Sequence, residues 1–211
     1  MKNIVLKITY SLLIRQFLKL IVGVKFDKAT FLKNQKQFII VANHNSHLDT
    51  MSVLASVPSC VLINLKPVAA ADHFGKTKLK AKLTEFFVNS LLIQRKRDKA
   101  NPTNDPINKM IKALDDGNSL LVFPEGTRGK PEIQQALKPG VAILLKNRPE
   151  IAYVPVYIKG LGKALPKQER IVLPYNSSLI YGKPTKIKST EIADILHQIE
   201  SDFINLSNKP I

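Results

Sequence analysis

Short apolar runs alternate along this chain with segments of helical character. The runs rich in branched apolar residues predict buried strands, at residues 38–42, 67–71, 91–93, 119–123, 151–158 and part of 171–181. Helices are predicted over residues 49–57, 76–88, 104–116, 138–146 and 191–206, and a loop over 160–168. We expect Thr103 or Asn104 to cap the third of these helices, and Gly117 to end it. This alternation predicts a single α/β domain with a mostly parallel central sheet flanked by helices.

The first 24 residues have a pattern of their own. Apolar side chains recur at steps of three and four and predict an amphipathic helix that precedes a domain of residues 25–211; they are Leu6, Tyr10, Leu13, Phe17, Leu20 and Val24. Lys7, Arg15 and Lys19 interrupt the apolar residues, so neither a membrane-spanning helix nor a signal peptide is predicted. A basic amphipathic helix suits the surface of an anionic bilayer. The alternative is a helix that packs on its own domain's core.

The chain is strongly basic, with 32 Lys and Arg against 16 Asp and Glu and a formal net charge of +16. This excess favours a polyanionic partner such as anionic lipid, a phosphorylated small molecule or nucleic acid. The basic residues are scattered and aromatic residues make up only 7% of the chain, which disfavours a nucleic-acid-binding protein. Cys60 is the only cysteine, so an internal disulfide is excluded. Its apolar neighbours predict a buried, inert thiol.

Residues 43–49, Asn-His-Asn-Ser-His-Leu-Asp, follow the first strand of the domain and contain the parts of a general base. Histidine titrates near neutral pH, and a carboxylate behind the ring fixes its tautomer and stabilises the imidazolium. His44 is the candidate base and Asp49 the orienting group. His47 also allows a metal cluster with these two residues, but zinc chemistry needs three ligands with outer support, and the metal interpretation is the weaker one.

Residues 123–128, Phe-Pro-Glu-Gly-Thr-Arg, follow another predicted strand and suit a phosphorylated substrate. Gly126 permits close backbone approach, and Thr127 offers hydrogen-bond donors. Arg128 can bind phosphate with two parallel hydrogen bonds, and Arg95 could supply a second cation. Glu125 could instead form an ion pair that holds Arg128. Because ligands gather at the carboxyl ends of parallel strands, the two segments are expected to share one site.

These segments resemble the sequence blocks of the glycerolphosphate and lysophospholipid acyltransferase family. The Asn-His-x4-Asp block matches at residues 43–49, and the second block ends at Arg95 after an apolar strand. The third matches at every position of residues 123–128, and the fourth, a strand with a proline, at residues 154–156. The blocks occur in the family's order over residues 38–159. Family members often have a glycine before the second-block strand, where this chain has Asn89-Ser90.

The resemblance implies an O-acyltransferase of phospholipid biosynthesis. An acyl group would move from a thioester of coenzyme A or acyl carrier protein to the hydroxyl of 1-acylglycerol 3-phosphate, giving phosphatidic acid. His44 would be the base, held by Asp49. The residues expected to bind the acceptor are Arg95, Glu125, Gly126, Thr127 and Arg128. No metal or organic cofactor and no nucleic acid is implied.

The resemblance also implies a peripheral position at the cytoplasmic face of a membrane. Another lysophospholipid or a lyso-aminolipid is the alternative acceptor. More remote is a thioester hydrolase, in which the His-Asp pair would activate water.

Overall fold

The computed structural model describes residues 2–27, 29–71, 86–94, 104–166, 169 and 171–209. These residues form a seven-stranded sheet in the order β1-β7-β6-β2-β5-β3-β4. The strands are β1 (Val24–Phe26), β2 (Phe38–Ala42), β3 (Leu65–Ala70), β4 (Leu91–Ile93), β5 (Ser119–Val122), β6 (Ala152–Lys159) and β7 (Ser177–Tyr181). Neighbouring strands are parallel except β6 and β7. The expected α/β domain with a mostly parallel sheet is confirmed.

Helices cover both faces of this sheet. They are α1 (Asp49–Ser56), α2 (Ser59–Leu62), α3 (Pro106–Asp115), α4 (Pro139–Asn147), α5 (Leu161–Ala164) and α6 (Ile192–Ser207), with a 3₁₀ turn at Thr30–Asn34. A longer N-terminal helix precedes them, in the successive segments Lys2–Ile8 (α), Thr9–Ile14 (π), Arg15–Phe17 (α) and Leu18–Val22 (π). No helix in the described part of the chain combines the length and hydropathy needed to cross a bilayer.

β2 divides the hydrophobic core into two layers. Its alternate side chains Phe38 and Ile40 face the layer formed with the N-terminal helix, α1, α2 and α5. Ile39 and Val41 face the layer formed with α3, α4 and α6. A strand covered on both faces needs apolar residues at every position, which is why residues 38–42 form a continuous apolar run.

The N-terminal helix is apolar on two sides. Leu6, Tyr10, Leu18 and Val22 lie in the core. Side chains between 42% and 73% exposed form the outward face, namely Ile4, Ile8, Leu12, Leu13, Phe17, Leu20 and Ile21. The prediction of one shared face was therefore wrong for Leu13, Phe17 and Leu20, which are exposed, and Val24 is buried in β1 and not in the helix. A π-helical turn takes more residues than an α-helical turn, so the two π segments rotate the later side chains away from the face that holds Leu6.

Other differences from the predicted elements have local causes. The cap of α3 is Asp105, whose carboxylate accepts the backbone N–H of Ile107 at 2.8 Å, so the choice of Thr103 or Asn104 was wrong. Residues 161–164 form α5 within the segment predicted as a loop. Its first residue follows Gly160, which has a φ of +84°.

Cys60 differs from the prediction because its apolar run is not a buried strand. It lies on the short helix α2 and is exposed, since only one side of that helix meets the core. Of the helix predicted over residues 76–88, all but residues 86–88 fall outside the described residues.

Candidate active site

The two motif segments meet at one edge of the sheet. β2 and β5 are parallel neighbours, with Ile39 opposite Leu120 and Val41 opposite Val122. Residues 43–49 follow β2, and residues 123–128 follow β5, so both loops leave the sheet at the same carboxyl edge. The two segments therefore lie together, as expected, while their use as one site stays a prediction.

His44 and Asp49 form a hydrogen-bonded pair. Asp49 Oδ2 lies 2.9 Å from His44 Nδ1 and also accepts the backbone N–H groups of Asn45 at 2.7 Å and Ser46 at 2.8 Å. Because a carboxylate only accepts hydrogen bonds, Nδ1 carries the proton, and Nε2 is the nitrogen that can take one from a substrate. Asp49 is 1% exposed and His44 19% exposed, so the carboxylate lies behind the ring and the ring reaches the surface.

Local sequence explains why the pair forms. Asp49 is the first residue of α1, where backbone N–H groups and the helix dipole favour a carboxylate. The turn before the helix directs two further N–H groups at the same oxygen. Asn43 anchors the start of this turn, since its amide accepts the N–H of Ile158 and donates to the carbonyl of Ile158, at 2.7 and 2.9 Å.

The segment after β5 holds His44 from three directions. The Phe123 ring stacks on the imidazole with 4.2 Å between ring centroids. Glu125 Oε1 accepts the backbone N–H of His44 at 3.0 Å, and the carbonyl of His44 accepts the N–H of Gly129 at 2.9 Å. Backbone and ring of His44 are therefore both fixed by the second motif segment.

Glu125 is itself buried, at 1% exposure. Its second carboxylate oxygen accepts Nε2 of Gln135 at 2.7 Å, and the same amide nitrogen donates to the carbonyl of Thr127 at 2.9 Å. Burial raises the pKa of Glu125 above its ordinary value, while the bonds from Gln135 and from the backbone of His44 oppose that rise. Sequence reasoning missed Gln135, which lies in a loop without periodicity or a recognisable motif.

The remaining expected site residues are Arg95, Gly126, Thr127 and Arg128. Arg128 contacts both ring nitrogens of His47 through Nη1, beside the His-Asp pair. Gly126 has a φ of +69°, and the turn uses glycine for this conformation, since the Lys138 side chain that a β-carbon would approach, with Nζ at 2.8 Å, is flexible and can move aside. Arg95 lies outside the described residues. A binding role for Arg95, Glu125, Gly126, Thr127 or Arg128 stays a prediction.

Two cavities meet at this edge. The polar one, of about 230 Å³, is lined by His44, His47, Thr50, Thr127 and Arg128 together with apolar residues. The second, of about 210 Å³, extends between β3, β4 and the helices α3 and α4, and its walls include Ile93, Ile107, Met110 and Val141. Both are bordered by Val68, Ala69, Ala70, Phe123 and Gly126. Of the two, the cavity that contains the candidate base is the more polar, although apolar atoms form most of the wall of both.

The departure from the family pattern before β4 has a structural explanation. Asn89 has a φ of +55°, in the left-handed region that favours glycine. Asparagine tolerates this region better than most residues. Its amide nitrogen also donates to the carbonyls of Ile63 and Leu65, at 2.9 and 3.3 Å. Asn89 therefore adopts the conformation for which a glycine would be used.

Within the described residues, no three His, Cys, Asp or Glu side chains are grouped as a metal site would require.

A sequence model described as Acyltransferase matches residues 23–159, more than half of the chain. The chain belongs to the acyltransferase family. The match includes all four sequence blocks and both cavity-forming loops. It begins at the last turn of the N-terminal helix.

Two named relatives of this acyltransferase chain are plant enzymes. A 1-acyl-sn-glycerol-3-phosphate acyltransferase of Cocos nucifera is 28% identical over 184 residues, which is 82% of this chain and 56% of the relative. The chloroplastic 1-acyl-sn-glycerol-3-phosphate acyltransferase LPAT1 of Arabidopsis thaliana is 26% identical over 149 residues, 69% of this chain and 38% of the relative. The chain thus spans about half the length of these relatives or less.

The crystal structure of the 1-acyl-sn-glycerophosphate acyltransferase PlsC from Thermotoga maritima has the same fold. The two structures align with a TM-score of 0.68 and 20% sequence identity, and the alignment covers 89% of this chain and 73% of the PlsC chain. At this identity the likeness supports the fold alone.

Proposed function

We propose that this protein is an O-acyltransferase that moves an acyl group from a thioester to the hydroxyl of a phosphate-bearing lysolipid, with 1-acylglycerol 3-phosphate as the favoured acceptor. The observation that carries the proposal is the shared wall between the polar cavity at His44 and Arg128 and the apolar cavity behind it. This arrangement suits a molecule that brings a hydroxyl, a phosphate and an acyl chain to one place. Membership of the acyltransferase family and the names of the plant relatives support the same reaction.

In the proposed reaction, His44 Nε2 takes the proton of the acceptor hydroxyl as its oxygen attacks the thioester carbonyl carbon. The new C–O bond forms, the carbonyl becomes a tetrahedral oxyanion, and collapse of this intermediate breaks the C–S bond. The departing thiolate takes the proton from His44, which returns to its starting state. Asp49 stabilises the imidazolium between these two proton transfers, as the carboxylate of a triad does.

The acceptor phosphate is proposed to bind Arg128, with Arg95 as a second cation. Arg128 lines the polar cavity beside His44 and His47, so a phosphate there would lie near the candidate base. A guanidinium offers two parallel N–H donors to a phosphate, which positions the ligand as well as neutralising it. Substituting Arg128 with alanine should therefore raise KM for the acceptor more than it lowers kcat.

The N-terminal helix is proposed to attach the protein to an anionic membrane surface. Its outward apolar side chains are flanked by Lys2, Lys7 and Lys19, a combination that suits the boundary between headgroups and acyl chains. Deleting residues 1–24 would also remove side chains from the core, so substitution of outward residues is the cleaner test. Changing Ile8, Leu12 and Leu13 together to serine should reduce sedimentation with vesicles that contain phosphatidylglycerol.

The reaction is tested with purified protein, labelled acyl-coenzyme A or acyl-acyl carrier protein, and a panel of lysophospholipids and lyso-aminolipids. Product that depends on 1-acylglycerol 3-phosphate supports the proposal. Preference for another acceptor would keep the proposed reaction and change only the identity of the acceptor. His44→Ala should abolish turnover, while His197→Ala, at an exposed histidine of α6, should not. Thioester cleavage that is indifferent to every acceptor would identify a hydrolase instead.

A further inference from the structure

A second group of exposed apolar side chains lies in the segment before β7. Ile171, Leu173 and Tyr175 are between 40% and 72% exposed. Val172, between the first two, packs against the core. We refer to residues 171–175 as the outer loop. Val172 packs the outer loop against the core, while the side chains of Ile171, Leu173 and Tyr175 are exposed.

Backbone hydrogen bonds fix the outer loop against the end of the N-terminal helix. The N–H of Tyr175 donates to the carbonyl of Val22, the last residue of that helix, at 2.9 Å. Leu20 and Ile21, in the same last turn, are both more than half exposed. The N–H of Leu173 donates to the carbonyl of Ala164 in α5 at 2.9 Å. The outer loop and the last helical turn therefore form one exposed apolar surface.

This surface lies at the edge of the sheet where the candidate active site opens. Ser178 is opposite Lys159 on β6, and Val24 is opposite Ser177. The last residue of β2, Ala42, is opposite Val156, three residues earlier on β6. The start of β7 and the outer loop therefore lie beyond the end of β2, on the side where residues 43–49 follow.

α5 connects the outer loop to the catalytic turn. Ser46, three residues before Asp49, donates its hydroxyl to the carbonyl of Leu165 at 2.8 Å. Leu165 directly follows α5, whose Ala164 is bonded to the outer loop. The spacing between the outer loop and the His44 turn is thus set by a short, hydrogen-bonded path.

The charges beside this exposed apolar surface indicate an anionic partner. Lys163 donates to the hydroxyl of Tyr175 at 3.1 Å and lies 5.2 Å from the centre of its ring, and Lys19 is exposed on the adjacent helix. Glu132 is a carboxylate close enough to interact with Lys163, and Glu169 lies two residues before the outer loop, in a chain whose net charge is +16. Apolar side chains bordered by tyrosine and lysine are typical of the interface of an anionic bilayer.

We propose that the outer loop inserts into an anionic phospholipid bilayer beside the last turn of the N-terminal helix, so that the active-site edge faces the membrane. The inference rests on the proposed membrane attachment of that helix. It adds a second membrane contact, through the outer loop, which fixes the orientation of the protein on the bilayer. A helix lying alone on the surface could rotate about its axis. Two contacts joined at Val22 and Tyr175 leave one orientation, with the opening of the polar cavity toward the lipid.

The chain contains no tryptophan, so a single introduced tryptophan reports on its own position. Leu173→Trp, Leu13→Trp and Ile204→Trp are prepared separately in the full chain. Leu13 lies on the outward face of the N-terminal helix, and Ile204 is a matched exposed residue of α6, on the opposite face of the sheet. Fluorescence is recorded with and without vesicles of phosphatidylcholine and phosphatidylglycerol, and then with brominated lipids that quench emission at known depths.

The inference expects a blue shift and bromolipid quenching for Leu173→Trp and Leu13→Trp, but not for Ile204→Trp. Quenching of Leu13→Trp without quenching of Leu173→Trp would overturn the second contact and leave the proposed attachment intact. If neither is quenched while the protein still acylates a detergent-dispersed acceptor, the membrane contacts fail and the reaction stands. A blue shift of Leu173→Trp in concentrated, lipid-free protein would point to a protein partner and overturn the inference.

Activity gives an independent measurement. The double substitution Ile171→Ser and Leu173→Ser should lower vesicle partition by about tenfold or more, because two apolar side chains lose their burial in lipid. Turnover of a vesicle-borne acceptor should fall with partition, whereas turnover of a detergent-dispersed acceptor should not change. Ile204→Ser is the control. Equal loss with both forms of acceptor would mean that the outer loop supports the fold and not the membrane contact.

Discussion

Replacing Asp49 by asparagine isolates the charge of the candidate catalytic pair. The amide is similar in shape to the carboxylate, and its oxygen can still accept the bonds now made to Oδ2, including the one from His44 Nδ1. Ring orientation and tautomer are therefore retained. What is lost is the negative charge that faces the imidazolium while His44 holds the acceptor proton. Asp49→Asn should consequently lower kcat while leaving KM for the acceptor nearly unchanged.

The size of this effect follows from distance and burial. Two unit charges about 4 Å apart interact by about 4 kcal/mol at an effective dielectric constant of about 20, which suits a pair with one buried and one partly exposed member. Since about 1.4 kcal/mol corresponds to tenfold in rate, the expected loss in kcat is about 10²- to 10³-fold. Stability should fall by about 2 kcal/mol, because two backbone N–H groups lose a charged acceptor.

The assay measures initial rates of labelled acyl transfer to 1-acylglycerol 3-phosphate, together with thermal unfolding to confirm a folded variant. Asp194→Asn is the control, since Asp194 lies in the first turn of α6 and accepts the hydroxyl of Ser189 at 2.8 Å, far from both motif loops. If Asp49→Asn is folded and keeps more than a tenth of the wild-type kcat, the charge of Asp49 is not used. If His44 and Asp49 act as a unit, adding Asp49→Asn to His44→Ala should cost almost nothing further.

Further predictions concern the residues that support the site and the fold. Glu125→Ala should lower the free energy of unfolding by about 1–3 kcal/mol in urea titrations, because two partly buried donors lose their acceptor. Because the pKa of Glu125 is raised, the native state binds its proton more tightly than the unfolded chain does. The free energy of unfolding should therefore fall as pH rises from the ordinary pKa of 4.5. This pH-dependent loss should be smaller in Glu125→Gln. Gly126→Ala should cost about 1–2 kcal/mol through its positive φ. Tyr153→Phe should cost about 1–3 kcal/mol through the lost bond to Asp202 at 2.5 Å, with acyl transfer unchanged. If the midpoint of unfolding is unchanged in Glu125→Ala, Gly126→Ala or Tyr153→Phe, the contact or backbone conformation assigned to that residue is contradicted.

The central strands β2 and β5 were predictable because each is buried along its whole length, whereas β1, a short strand with an exposed middle residue, was not predicted. A short run without polar positions has few alternatives in an α/β domain, and β2 and β4 have the predicted bounds. The pairing of His44 with Asp49 was also predictable, since four intervening residues and a helix start leave the carboxylate close to the ring. The second result depends on contacts between residues that are near in sequence.

The features that the sequence did not reveal leave no distinct signal in its motifs or in its helical and strand periodicity. The bond from Gln135 to Glu125 has no periodic or motif signal, because it forms only when the loop after β5 folds back on itself. The outward face of the N-terminal helix was misassigned because π-helical turns are not visible in α-helical spacing. The strand expected in part of residues 171–181 is β7, at Ser177–Tyr181, and the apolar run at residues 171–173 lies in the outer loop, which the sequence did not distinguish from a strand.

The sequence blocks of the family hold one another in place as well as lining the site. Asn43 of the first block bonds to Ile158 on β6, the strand that carries the fourth block. Glu125 of the third block bonds to the backbone of His44 in the first. Loss of activity after Glu125→Ala would therefore not show that Glu125 binds the acceptor, because the same change releases the backbone of the base. The two roles separate in the kinetics: a displaced base lowers kcat with every acceptor, whereas a lost acceptor contact raises KM for the phosphorylated acceptor in particular.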